Sequence, residues 1–399
     1  MTEVFSKALT QTITINRIIG ELKGDGSGPT LIFFAGIHGN EPSGVFALKK
    51  VMDTLSANGH SLKGKVIAIA GNLPALKKGV RYIDYDLNRI WTRAYVSKGF
   101  ISRVAVNSTE HREQTMILEI LKKITSTSKG PFYFFDLHTT SSDSIPFITI
   151  NDTLLNRKFS LRYSVPVILG IEEYLDGPIL SYINQMGYVS IGFEAGQHDE
   201  VASIEKHVAF IYKSLQITEV ISKTLYQSLA THVLTETQPE KQVYEITHRH
   251  EIGYGEHFIM NNGFKSFQSI SKGQLLALSN HQPLVAPEKG KIFMPLYQPQ
   301  GNDGYFIIKH IPYFYLKASA LVRKIRLDAL LALLPGFSWH DDKKKTLWVN
   351  KRIARFMAKD FLHLMGYRVK QRDAIHLAAT KREDNQANKR YQYERWLKS

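Results

Sequence analysis

The chain has 399 residues, 43% hydrophobic and 22% charged, with no cysteine. That length suits two or three globular domains, and the missing cysteines exclude disulfides and thiolate metal sites, so any metal must be held by His, Asp or Glu. The net charge of +15 is uneven: from Leu321 to Ser399 there are 19 Lys+Arg against 8 Asp+Glu, a net +11, so arguments about nucleic acid or acidic surfaces concern that region alone.

Met1 to Asn16 mixes polar and apolar residues and lacks the apolar core of a signal peptide. No stretch reaches the roughly eighteen apolar residues of a membrane span. These features point to a cytoplasmic protein without a transmembrane segment.

In chain order, Thr12–Leu22 is expected as an opening strand, followed by the turn Gly24–Pro29 and the buried strand Leu31–Ile37. A helix from about Pro42 to Leu55 follows, with Val45, Leu48, Val51, Met52 and Leu55 at helical spacing. Lys65–Ala70 is a second buried strand, Gly79–Trp91 an irregular polar loop, and Asn107 to about Thr125 a capped helix. Pro131–Leu137 is a near-continuous apolar strand; Pro146–Ile150 and Val165–Leu169 are shorter ones. A helix near Ile179–Met186 leads into the strand Tyr188–Phe193, and Val201 to about Leu229 is helical. Alternating helices and strands that are apolar on both faces predict a largely parallel sheet flanked by helices. In such sheets ligands bind beyond the carboxyl ends of strands, where His38, Asn72, His138 and Glu194 all fall.

After about Thr235 short strands punctuated by Gly and Pro predict an all-β module over Val243–Lys309. Ile270–Ala277 and Val285–Ile292 resemble the lipoyl/biotinyl barrel-sandwich family, without the lysine-bearing hairpin of true carriers. Beyond Lys317, apolar stripes at Ala318, Leu321, Val322, Ile325, Leu330 and Leu334, and at Ile353, Phe356, Met357, Phe361 and Leu364, predict a basic, α-rich extension. The last twenty residues are polar and charged and are expected to fray. The predicted domains are 1–235, 236–316 and 317–399.

His38 and Glu41 follow a strand at a spacing of three and suit a zinc ion. His138 ends another strand and completes the three protein ligands of a catalytic zinc. Glu194 ends an apolar strand, where burial raises a carboxyl pKa toward that of a useful base. Arg81 and Arg89 share a loop with Asn88, and arginine suits bidentate recognition of a carboxylate.

The segments His38-Gly39-Asn40-Glu41, Asn72–Ala75, Arg81 through Asp86–Arg89, Asp136–Thr140 and Phe193–Gly196 resemble, in order, the succinylglutamate desuccinylase/aspartoacylase family of zinc-carboxypeptidase-like hydrolases, over about residues 10–310. The resemblance implies one Zn2+ per chain on His38, Glu41 and His138, with Glu194 as general base. It implies that Arg81, Asn88 and Arg89 grip a substrate carboxylate or polarise the scissile carbonyl, and that Tyr305 reaches the substrate from the β module. The family's second substrate arginine, shortly before the base, has no counterpart, since no Arg lies between Asn184 and Glu194. The expected activity is hydrolysis of the amide of a small N-acyl amino acid or similar compound. Alternatives are a zinc carboxypeptidase, a small-ester hydrolase, or a zinc-binding protein without turnover. The basic C-terminal region packs against the other domains or holds an acidic partner, and an oligomer is compatible with the sequence.

Overall fold

The computed structural model describes residues 1–57, 61–92, 95–96, 107–229, 242–325, 331, 333–340, 346–350, 352–354, 358–373, 375–382 and 389–398. The expected domain boundary at 235–236 and the stripe residues Leu330, Phe356 and Met357 lie outside them.

An eleven-stranded mixed sheet organises the molecule. From one edge its strands are Ile18–Lys23, Lys65–Ala70, Thr30–Ala35, Phe132–Thr140, Val189–Gln197, Phe147–Thr149, Val167–Leu169, Val243–Glu251, Asp303–His310, Gly290–Phe293 and Ser269–Ile270. The four strands Lys65–Ala70, Thr30–Ala35, Phe132–Thr140 and Val189–Gln197 run parallel. Thr30–Ala35 and Phe132–Thr140 are buried at every residue, which explains why their sequences read as unbroken apolar runs rather than alternating ones. One face packs on the helices Ser43–Ala57 and Val201–Ile217, with Phe193 and Phe210 stacked 4.0 Å apart. The other is covered by Thr109–Thr127 and Ile179–Gln185.

Several local expectations are refined. The opening strand is two, Gln11–Ile15 and Ile18–Lys23. The Val201–Leu229 helix breaks into Val201–Ile217 and Lys223–Leu229. A short helix, Leu73–Lys78, was not expected; Asn72 caps its start and Gly79, at φ 65°, ends it.

The β module is all-β between Val243 and His310, but it is not a separate sheet. Val243–Glu251 pairs in parallel with Val167–Leu169, so the main sheet runs continuously into the module. A three-stranded sheet of Phe258–Met260, Leu275–Ser279 and Gln282–Val285 faces it across a core that includes Met260, Leu276, Ile292 and Tyr305.

The C-terminal region corrects the expectation of an α-rich extension. Besides the helices Tyr313–Ile325, Ala358–Leu364 and Arg395–Lys398, it contains a four-stranded antiparallel sheet in the order Phe337–Trp339, Thr346–Asn350, His376–Lys381, Tyr367–Gln371. Nor does the described C-terminal end fray: Tyr391 and Trp396 are buried in the main core. Tyr391 Oη accepts the Val189 N–H at 3.0 Å, and Trp396 Nε1 donates to Tyr133 Oη at 2.7 Å. No helix among the described residues is long and apolar enough to cross a membrane.

Candidate metal and hydrolytic centre

Thr30–Ala35 ends just before a tight loop that carries His38 and Glu41 and feeds the helix Ser43–Ala57. Gly39 is required here: a Cβ would collide with the backbone of Ala75. Phe132–Thr140 delivers His138, and Val189–Gln197 delivers Glu194 in register beside it.

These strand ends converge. His38 Nδ1 lies 2.9 Å from one Glu41 carboxylate oxygen and His138 Nδ1 lies 3.0 Å from the other; the second oxygen also accepts the Thr139 N–H at 3.0 Å. The remaining imidazole nitrogens each face another acid. His38 Nε2 is 3.1 Å from Asp86 Oδ1, and His138 Nε2 is 2.7 Å from Asp136 Oδ2. An imidazole with one nitrogen free to ligate and the other held by a carboxylate is the usual support for a metal ligand. Among the described residues, His38, Glu41 and His138 form the one grouping of three or more His, Asp or Glu side chains able to hold a metal ion.

Burial disfavours the charged form of Glu41, but His38 and His138 outweigh it and hold its carboxyl well below the usual range. Burial also opposes the imidazolium of His138, yet Asp136 and Glu41 raise its pKa well above the ordinary value. Glu194 behaves oppositely. Burial is the largest effect on it and, with repulsion from Glu41 and Asp136, exceeds the pull of His138 and Arg81, so its pKa is pushed up to about 8. Glu194 Oε2 has no hydrogen-bond partner among the described residues. Four carboxyls, three of them buried, around two imidazoles suit a divalent cation, so the donor set fits zinc.

The Arg81–Arg89 loop is fastened by Glu110, which accepts from Ile83 N, Asp84 N, Tyr85 N and Asn72 Nδ2 at 2.8–3.1 Å. Arg81 donates from Nε and a terminal nitrogen to Asp86 Oδ2 at 3.2 and 3.0 Å, and lies 3.5 Å from Glu41. Asn88 Nδ2 is 3.5 Å from His138 Nε2. Arg89 donates to Asp303 at 2.7 Å, and Arg249 reaches the other oxygen of Asp303 at 2.6 Å.

Of the residues expected at the site, His38, Arg81, His138 and Glu194 border two neighbouring spaces, with Glu41 on one of them and Asn88 and Arg89 on the other. Tyr305 does not. A register irregularity between the pairs His250–Tyr305 and Glu251–Asp303 inserts Gly304 as a bulge. The bulge turns Asp303 and Phe306 toward the site and Tyr305 into the module core, stacked 5.6 Å from His250. The sequence reading pointed to the right segment and the wrong side chain.

Three contributors were missed. Asp86 stood inside a quoted motif without a role. His198 lies beyond Glu194 and bridges Thr139 Oγ1 at 2.8 Å and Gln298 Oε1 at 3.1 Å. Asp303 sits two residues before Tyr305. For His198 and Asp303 the signal is tertiary, since their partners come from other elements.

Three spaces adjoin the cluster. A small one of about 60 Å3 touches His38, Glu41, His138 and Glu194. It opens outward to a cleft of about 900 Å3 that shares Arg81, Ser141, His198 and Gln298 with it. A third space, a chamber of about 100 Å3, shares His38, Arg81, His138 and Glu194 with the small one and is also bordered by Asn88, Arg89 and Leu180.

Comparison with known proteins agrees with this arrangement. Residues 27–205 match the profile of the succinylglutamate desuccinylase/aspartoacylase catalytic domain. The chain is 26% identical over 110 residues to a succinylglutamate desuccinylase of Yersinia pseudotuberculosis, covering 28% of this chain and 32% of that protein. It is 38% identical over 68 residues to one from Photorhabdus laumondii, covering 17% and 21%. The match thus spans a third or less of these curated relatives. A crystal structure of succinylglutamate desuccinylase from Vibrio cholerae superposes with a TM-score of 0.56 at 16% identity, covering 73% of this chain and 84% of that one; the likeness is one of fold. Residues 27–205 therefore carry a domain like the catalytic domain of the succinylglutamate desuccinylase/aspartoacylase family, on a fold shared with solved succinylglutamate desuccinylases.

Proposed function

We propose that the protein is a zinc-dependent hydrolase cleaving the amide bond of a small N-acyl amino acid or a related carboxylate-bearing amide. One observation carries this reading: two imidazole Nδ1 atoms meet the two oxygens of one buried carboxylate, and the buried Glu194 borders the same space. His38, Glu41 and His138 would hold the ion. Bound there, Zn2+ supplies Lewis-acid chemistry that acidifies water and polarises a carbonyl.

The remaining work falls to side chains. Glu194 takes the proton of the attacking water, and its burial makes it basic enough for that step at neutral pH. The same carboxyl then returns the proton to the departing amine as the C–N bond breaks. Arg81 borders all three spaces and places a guanidinium where negative charge grows on the carbonyl oxygen. Asn88 and Arg89 orient the substrate carboxylate. Asp86 and Asp136 fix the two ligand imidazoles.

The outer cleft supports a second reading, a zinc carboxypeptidase, because about 900 Å3 exceeds what a short acyl group needs. A panel of N-acyl amino acids and short peptides separates the two. Glu194→Gln should keep its zinc and lose hydrolysis of every member; full activity in that variant would remove the assigned base.

A further inference from the structure

The chamber has a chemical asymmetry that bears on what the enzyme accepts. Near the metal-type cluster it is charged, through His38, Arg81, His138, Glu194 and Asp303. The rest of the lining is largely apolar, with Ile150, Ile171, Leu175, Pro178, Leu180 and Phe306. Two polar groups of that lining satisfy each other: Asn151 Nδ2 donates to Ser181 Oγ at 3.1 Å, and the Ser181 hydroxyl lies 3.1 Å from Asn151 Oδ1. The helix Ile179–Gln185 thus presents Leu180 and Ser181, with no cation.

The two arginines that border the chamber are already matched. Arg81 pairs with Asp86, and Arg89 shares Asp303 with Arg249. Together with Asn88 they can take one carboxylate. A second carboxylate in the chamber would meet an apolar wall and the Asp136 side chain, and a buried charge without a partner is strongly disfavoured.

Resting on the hydrolase reading above, we infer that this site selects N-acyl amino acids whose side chain is uncharged and apolar. The amino-acid half enters the chamber, its α-carboxylate at Asn88 and Arg89 and its side chain against Ile150, Leu175 and Leu180. The acyl group lies in the outer cleft. Size agrees with this orientation. The chamber's 100 Å3 is room for about seven to ten waters at 10–15 Å3 each, on the scale of a small amino acid. The outer cleft's 900 Å3 accepts a long acyl chain or a peptide. Gly192 keeps the chamber open, because a Cβ there would collide with Thr149 Oγ1 and press on Leu180.

The test uses the full-length, zinc-loaded protein and a series sharing one acyl group, N-hexanoyl, on L-norvaline, L-leucine, L-aspartate and L-glutamate. The norvaline compound should exceed the aspartate compound in kcat/KM by at least about 100-fold, the scale on which an unpaired buried charge is rejected. Calorimetric binding of free L-norvaline and L-aspartate, the products, should follow the same order. Leu180→Arg should shrink or invert the preference by supplying the missing cation. Leu180→Ala, a milder change, should move the preference from norvaline toward phenylalanine.

Equal or better turnover of the acidic compounds by the native enzyme would overturn the chamber assignment while leaving the hydrolase reading intact. So would variants at Leu180 that fold and leave the ratios unchanged. Selective binding of norvaline without turnover of any amide would support the chamber and sink the hydrolase reading. Absence of both turnover and binding would overturn both.

Discussion

Two buried charge clusters lie in this molecule, and they are built to opposite ends. At the strand ends, Glu41, Asp86, Asp136 and Glu194 crowd around His38 and His138, with Arg81 as the adjoining guanidinium. Beneath the C-terminal unit, Asp152, Glu172 and Glu173 meet Arg157, Arg323 and Arg382. The first has more acid than fixed cation and calls for a cation from outside. The second sets three acids against three guanidinium groups, although burial raises the pKa of its Glu172. Charge balance inside a protein therefore separates a site that binds from a joint that holds.

The sharpest way to break the comparison is to remove what only the first cluster needs. Chelation should abolish amide hydrolysis, zinc should restore it, and the C-terminal joint should be untouched. Glu41→Ala should likewise lose zinc, measured by elemental analysis, and fall to the background rate. Glu194→Gln should retain zinc while kcat falls by about 10²–10⁴-fold, the usual worth of a general base. A variant that loses zinc and activity together at Glu194 would make that residue a ligand instead.

The second cluster should respond in stability, not chemistry. Asp152→Ala takes the acidic partner from Arg157 and Arg323 in the interior, where Asp152 and the Arg323 side chain are each 2% exposed, while Arg382 keeps Glu172 and Glu173. Stranding buried charge costs about 3–5 kcal/mol, read as a lower denaturation midpoint with zinc still bound. Arg382→Met leaves two guanidinium groups on Asp152 but takes the guanidinium from Glu172 and Glu173, so its cost should be of similar size.

These two clusters also differ in how far the sequence displays them. The grouping of His38, Glu41 and His138 was legible because its members follow or end strands whose apolar runs announce themselves, and His38 and Glu41 are three residues apart. The joint was not legible. Asp152 is 171 residues from Arg323 and 230 from Arg382, so no local pattern links them. The same holds for Tyr391 and Trp396, two aromatics in a polar tail that meet Tyr133 across more than 250 residues. The C-terminal sheet escaped because its strands are short and flanked by charge, which reads as solvated helix. Tyr305 failed for a local reason, the Gly304 bulge that reverses strand alternation.

pH provides a subtler probe of the joint. Burial raises the Asp152 pKa, but Arg157, Arg323 and Arg382 outweigh it and hold the carboxyl well below its ordinary value of 3.8. A depressed folded-state pKa means that the ionised group stabilises the fold above the unfolded value, and that this contribution fades as pH falls through the folded one. The stability gap between the native protein and Asp152→Asn should be flat from about pH 8 to 5 and narrow only below about pH 4. Narrowing already at pH 6 would assign the effect to a group other than Asp152.

The smallest effect belongs to the rim of the same joint. Lys370 and Arg368 reach Asp176 from the C-terminal sheet, but the Asp176 side chain is 73% exposed. Water and salt screen such a pair, and exposed pairs contribute about 0–1 kcal/mol. Lys370→Ala should therefore move the denaturation midpoint far less than Asp152→Ala, although both remove an ion pair between the same two parts of the chain. A loss comparable with Asp152→Ala would mean that Lys370 acts through its buried stem against the neighbouring chain rather than through its charge. Lys370→Met, which keeps the stem and drops the charge, would then restore most of the stability.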